Sequence, residues 1–89
     1  MRFNLDFTNR FKKDVKLCLK RNYNIVLLEE VLLELREKGT VPLKNKPHLL
    51  SGDLEGIWEC HIKPDWLLLW YIDETTIVLV RTGTHSDLF

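Results

Sequence analysis

The stretch IWECHIKPDWLLLWYIDETTIVLVRT, residues 57–82, decides the fold. Ile57–Ile62 alternates apolar and polar side chains, the period-2 pattern of a half-buried strand. Trp66–Ile72 is almost continuously apolar, and Thr76–Thr82 is rich in Val and Ile. Only Lys63-Pro64-Asp65 separates the first two segments, and Asp73-Glu74-Thr75 the last two. A parallel crossover needs a much longer connection, so these strands form an antiparallel meander.

Upstream, Arg2–Phe7 places Phe3, Leu5 and Phe7 on one side and Arg2, Asn4 and Asp6 on the other, which predicts a short strand. Thr8 or Asn9 is placed to cap a helix whose stripe is Phe11, Val15 and Cys18, widened by Leu17. The polar side of that helix carries Arg10, Lys12, Lys13, Lys16, Lys20 and Arg21, with Asp14 as its only acid. Asn22-Tyr23-Asn24 breaks the pattern. Leu28, Val31, Leu32 and Leu35 then mark a second helix, stopped by Gly39 and Pro42. So short a link between the helices makes them a hairpin. Thr40–Gly56, with two prolines and two glycines, reads as an ordered connecting loop, and Thr82-Gly83-Thr84 turns the chain into a short tail ending at Phe89. The order β-α-α-β-β-β predicts one α+β domain over residues 1–89, a mostly antiparallel sheet covered on one face by the helical hairpin.

A chain of 89 residues buries only about 60% of its unfolded surface, leaving little room for a deep pocket. A shallow surface site is expected. Cys18 and Cys60 are too few for a disulfide framework and belong to no C-x-x-C pair, so both are read as buried free thiols. With no signal-peptide core and no apolar run near the ~18 residues of a membrane helix, the expected compartment is the cytoplasm and no membrane contact is expected. Net charge is zero, but residues 1–48 hold 11 Lys and Arg against 6 Asp and Glu, and residues 49–89 hold 2 against 7. The basic half suits a polyanion and the acidic half a basic partner.

The residues able to carry chemistry gather in the β-rich half. In a meander, the end of one strand lies beside the start of the next. His61 and Asp65 therefore flank one turn, and Arg81 and His85 flank the next turn at the same rim. His48 lies on the connecting loop. Two proton carriers and a guanidinium suit phosphodiester cleavage by an internal 2′-hydroxyl: a base takes the 2′-OH proton, a cation stabilises the phosphorane, and an acid protonates the leaving 5′-oxygen. No metal or other cofactor is needed when the nucleophile belongs to the RNA. A zinc site of His61, Asp65 and His85 is the competing reading, but it lacks a closely spaced helical ligand pair and any thiolate pair. A lone histidine is more often structural, so the set matters more than any member.

Trp58 and Trp70 read as core residues. Trp66, next to Asp65, is a candidate for stacking on an RNA base at the rim, although core packing is the commoner fate of such a residue. Phe89 either folds back as a hydrophobic plug or stacks on substrate. Lys12, Lys13 and Lys16 form a candidate phosphate-binding stripe, weighed against a merely solvated face.

These residues also fall into a pattern. His48-Leu49-Leu50, Glu59-Cys60-His61-Ile62, Pro64-Asp65-Trp66-Leu67-Leu68 and Arg81-Thr82-Gly83-Thr84-His85-Ser86-Asp87-Leu88-Phe89 resemble the YafQ-type toxins of the RelE/ParE superfamily, as does Phe11-Lys12-Lys13-Asp14. The resemblance implies a small RelE-like domain and an mRNA interferase, the toxin of a type II toxin–antitoxin system. Such toxins enter the ribosomal A site, contact ribosomal RNA and cut the mRNA codon held there. A cognate RelB/DinJ-like antitoxin neutralises them, and operator DNA is engaged only through that complex. The family's functional positions fall on His48, His61, Asp65, Trp66, Arg81, His85 and Phe89, with Glu59 where relatives carry an acid. On that basis His85 is expected as general acid, Arg81 on the scissile phosphate, Asp65 or His61 as base, and His48 as a further contact. Trp58 stands where relatives usually have Arg, Leu54 where they often have Trp, and Asp53 and Glu55 make their loop acidic. Two other readings share the fold or the partner: a ParE-type toxin that binds DNA gyrase without catalysis, and an inactive co-repressor that only binds antitoxin.

Overall fold

The computed structural model describes residues 2–89; Met1, the first residue of the expected domain, lies outside them. The elements are β1 (Asn4–Phe7), α1 (Asn9–Lys20), α2 (Ile25–Lys38), β2 (His48–Leu49), β3 (Trp58–Lys63), β4 (Trp66–Asp73), β5 (Thr76–Gly83) and α3 (His85–Leu88). They build an α+β fold around one sheet of order β1-β5-β4-β3-β2. The meander is antiparallel throughout, and β1 joins it parallel to β5, with Leu5 opposite Ile77 and Phe7 opposite Leu79.

The helix ends follow from their capping residues. Thr8 Oγ1 accepts the Phe11 N–H at 3.0 Å, and Asn24 Oδ1 accepts the Val26 N–H at 3.2 Å. Gly39 ends α2 in the left-handed region with φ 75°, where a Cβ would lie 2.6 Å from the Phe3 ring. The hairpin and one sheet face share a core of Phe11, Cys18, Leu28, Val31 and Leu35 against Cys60, Leu68, Trp70, Ile77 and Leu79. Both cysteines are buried and free, and burial pushes the Cys60 thiol up to about 12.

Three features of the structure correct the sequence reading. The segment 40–56 is not all loop: His48–Leu49 adds an edge strand, with His48 opposite Glu59 and Leu49 opposite Trp58. The short tail after Gly83 contains a helix the sequence reading did not assign, α3, started by a capping box at Thr84. Asp14 is not on the solvated side of α1. It is 8% exposed, while Leu17, expected on the stripe, is 40% exposed.

The burial of Asp14 has a structural cause. β1 ends opposite Leu79, so the outer edge of β5 beyond that point lacks a neighbouring strand. Thr8 donates its hydroxyl to the Val80 carbonyl at 2.9 Å, and Asp14 Oδ2 accepts the Thr82 N–H at 3.2 Å. A side chain of α1 thus satisfies the backbone group that β1 does not reach.

Candidate functional site

On the sheet, residues directly opposite one another share a face. His48, Glu59, Leu69 and Arg81 are successive partners across β2, β3, β4 and β5, and His61 stands opposite Leu67. Cys60, Leu68 and Trp70 point the other way, into the helix-covered core. The histidines of β2 and β3 therefore sit on the face that the hairpin leaves open.

At the rim, the β3–β4 turn presents Asp65 and α3 presents His85. Asp65 Oδ1 accepts the His85 backbone N–H at 2.9 Å and the ring Nδ1–H at 2.5 Å. These two bonds, the backbone one foremost, hold the Asp65 carboxyl below the usual carboxylate range. With Nδ1 committed, the imidazole offers Nε2 to anything on the open face. The side chains of His85 and Asp65 are 54% and 64% exposed, so the pair is accessible to a large substrate.

His61 lies next in the row, its ring centroid 5.9 Å from that of His85 and 6.5 Å from that of His48. Its Nδ1 faces the Pro64 carbonyl at 3.3 Å. His48 Nδ1 faces the Lys46 carbonyl at 3.0 Å, and its Nε2 lies 3.1 Å from Glu59 Oε1. A carbonyl and a carboxylate both accept, so both His48 bonds form only when both ring nitrogens carry hydrogen. Glu59 is 7% exposed, with His61 Nε2 also 4.0 Å from Oε1. Its carboxylate is buried between two imidazoles, the setting that a desolvated charge requires.

The other expected site residues divide. Arg81 donates from Nε to Asp14 Oδ2 at 2.7 Å, and from Nη2 to Asp14 Oδ1 at 3.2 Å and the Asp87 carbonyl at 3.4 Å. These bonds engage Nε and Nη2, and Nη1 donates to no partner among the described residues. Trp66 corrects the expectation of a base-stacking platform. It is 2% exposed, its indole N–H donates to Thr82 Oγ1 at 2.9 Å, and Tyr23 packs on its ring. Phe89 is 62% exposed and is no plug. Lys12, Lys13 and Lys16 are exposed on α1 and enter no ion pair among the described residues. Glu59, which the resemblance places where relatives carry an acid, was given no role from sequence, yet in the alternating Glu59-Cys60-His61 the two polar residues must share a face.

A groove of about 720 Å³ opens beside His61 between α2 and β3, with Lys44, Lys46 and Lys63 among its lining. Among the described residues no three His, Cys, Asp or Glu side chains stand together as a metal-ligand set, and no helix is long and apolar enough to cross a membrane.

Exposed His48 and His85 and the half-buried His61, set against the buried Glu59 and the exposed Asp65, line one rim of a small sheet under a helical hairpin. Residues 3–89 match the family described as the bacterial toxin of type II toxin–antitoxin system, YafQ. The chain is 34% identical over 87 residues to the mRNA interferase toxin YafQ of Escherichia coli K12, covering 96% of this chain and 94% of that one. Its structure resembles YafQ in the E. coli DinJ–YafQ toxin–antitoxin complex, with TM-score 0.90, 30% identity and coverage of 100% and 99%. It also resembles a copper-bound mutant toxin from Helicobacter pylori, with TM-score 0.91, 34% identity and coverage of 98% and 99%. The chain belongs to the YafQ family of type II toxins.

Proposed function

We propose that this toxin is a ribosome-dependent endoribonuclease that cuts mRNA by metal-independent attack of the 2′-hydroxyl on the adjacent phosphate. The observation that carries the reading is the His85–Asp65 pair, with His61 5.9 Å from His85 on the same open rim. His85, its Nδ1 bonded to Asp65, gives a proton from Nε2 to the leaving 5′-oxygen. Asp65 is poorly suited to be the base, because its carboxyl is held low and Oδ1 is occupied twice. His61 takes that role and removes the 2′-OH proton. His48, bonded to Glu59, places its ring beside the phosphate, and Arg81 reaches a phosphate oxygen through Nη1. Bond making to the 2′-oxygen and loss of the 5′-oxygen leave a 2′,3′-cyclic phosphate and a 5′-hydroxyl.

Phe89, exposed at the end of α3, supplies the aromatic face that buried Trp66 does not, and stacks on a base of the bound codon. Lys12, Lys13 and Lys16 contact ribosomal RNA, and the histidine rim faces the mRNA in the A site. The relative's assembly with DinJ supports a DinJ-like antitoxin as partner, with operator DNA reached only through that complex. The toxin is expected to act in the cytoplasm, where ribosomes and mRNA are. The copper-bound relative raises a metal route; the reading here instead gives both proton transfers to His61 and His85 and routes no step through a metal. The test is cleavage of an mRNA alone and on ribosomes with a defined A-site codon. Cutting only on ribosomes supports the proposal; ribosomes left with intact mRNA overturn it.

A further inference from the structure

α3 has four residues, too few to hold itself together, because starting a helix is unfavourable. It nevertheless carries His85. Asp87 is what ties it down. The Thr84 N–H donates to Asp87 Oδ2 at 2.9 Å, and the Asp87 N–H donates to Thr84 Oγ1 at 3.1 Å. The same carboxylate is held from the far end of α1: Arg21 Nη1 donates to Oδ2 at 2.7 Å and Nη2 to Oδ1 at 3.1 Å. Arg81 adds a bond to the Asp87 carbonyl. Gly83 makes room for this arrangement, since with φ 155° a Cβ there would lie 2.8 Å from Asp87 Oδ2. The two-pronged pairing is directional as well as attractive, because the planar guanidinium fits the carboxylate in one orientation.

We propose that Arg21 and Asp87 are positioning residues for the reaction assigned to His85, clamping α3 so that the His85 ring stays aimed by Asp65. The proposal rests on the ribonuclease reading above. Neither residue touches the His85 ring, and both act through the α3 backbone. It also separates Arg21 from the lysine stripe of α1. Lys12, Lys13 and Lys16 have no ion-pair partner among the described residues, whereas the Arg21 charge is compensated within the fold. Misplacing a catalytic group by ~1 Å costs on the order of 10²-fold in rate, so a loosened clamp is expected to show as a smaller loss in the chemical step.

The test compares single-turnover cleavage on programmed ribosomes at saturating toxin with ribosome affinity measured separately. Arg21→Ala and Asp87→Asn should each lower the saturated rate about tenfold, with ribosome Kd within about twofold of the parent. The double variant should be no worse than either single, because the two act as one unit. Arg21→Lys should recover part of the rate. Asn at 87 still offers an amide oxygen to Thr84, so that variant keeps a fold in which the clamp alone is weakened. The downfield NMR resonance of the His85 Nδ1 proton, held by Asp65, should weaken in both single variants. Full saturated rates, or a loss confined to ribosome affinity, would overturn the clamp. A parent protein that leaves mRNA intact would instead sink the ribonuclease reading, and the NMR resonance would still decide the clamp.

Discussion

Asp65 Oδ1 accepts two hydrogen bonds from one residue, the backbone N–H of His85 at 2.9 Å and its ring Nδ1–H at 2.5 Å. The β3–β4 turn thereby fixes both where α3 begins and which nitrogen of its histidine faces outward. Removing the ring should remove the chemistry without the fold. His85→Ala is expected to lower cleavage by about 10²–10⁴-fold, with melting temperature and antitoxin affinity nearly unchanged, since the side chain is exposed. Calorimetry beside a cleavage assay checks this. A variant that unfolds, or one that cuts as fast as the parent, would show the assignment to be wrong.

The same pair predicts a pH dependence. A carboxyl held below its unfolded value stabilises the fold above the ordinary carboxylate pKa of about 4, and that contribution is lost as pH falls through the lower folded value. The His85 amide resonance should therefore shift on acidification below about pH 4, and Asp65→Asn should abolish the inflection. An amide that keeps its position down to pH 2 in the parent would contradict the bond.

Trp66 separates packing from recognition. It is buried, bonded to Thr82 and in contact with Tyr23. Trp66→Ala is expected to cost about 3–5 kcal/mol of stability, the usual range for a buried aromatic. Phe89→Ala should leave stability almost unchanged and weaken cleavage. Equal stability of the two variants in denaturant would refute this division.

The lysine stripe tests binding apart from chemistry. Lys12, Lys13 and Lys16 are exposed, and surface substitutions usually change stability by less than about 0.5 kcal/mol. The triple Lys→Gln variant should keep its melting temperature, bind ribosomes less tightly and show a flatter salt dependence, because fewer counterions are released. Ribosome affinity equal to the parent's would make the stripe a solvated face only.

Much of this was legible in the sequence, for reasons that particular residues make plain. The meander over residues 57–82 could be read because its periods and short turns agree, and the turns place Asp65 beside His85. Asp14 was misread because its charge was weighed above its spacing. It stands three residues after Phe11 and four before Cys18, squarely on the inward stripe, where it completes the β5 edge. β2 has two residues and α3 four, below the length at which periodicity is visible. Trp66 was drawn to the rim by its neighbour Asp65, yet in a strand successive side chains take opposite faces, and Trp66 took the core. The Arg21–Asp87 clamp joins residues 66 apart and has no local signal.

Metal independence makes a separate demand. Cleavage should survive chelator at concentrations that leave ribosomes assembled, since base and acid are both imidazoles and the nucleophile is the RNA's own. Activity lost on chelation and restored by stoichiometric copper or zinc, with ribosomes intact throughout, would overturn this part of the account.

The most direct test of the central claim is the chemistry of the cut ends. mRNA recovered from a translating extract should carry breaks within the A-site codon, with a 2′,3′-cyclic phosphate on one side and a 5′-hydroxyl on the other. Those ends should be absent with His85→Ala. Ends bearing a 5′-phosphate, or growth arrest with every message intact, would contradict cleavage by the histidine rim.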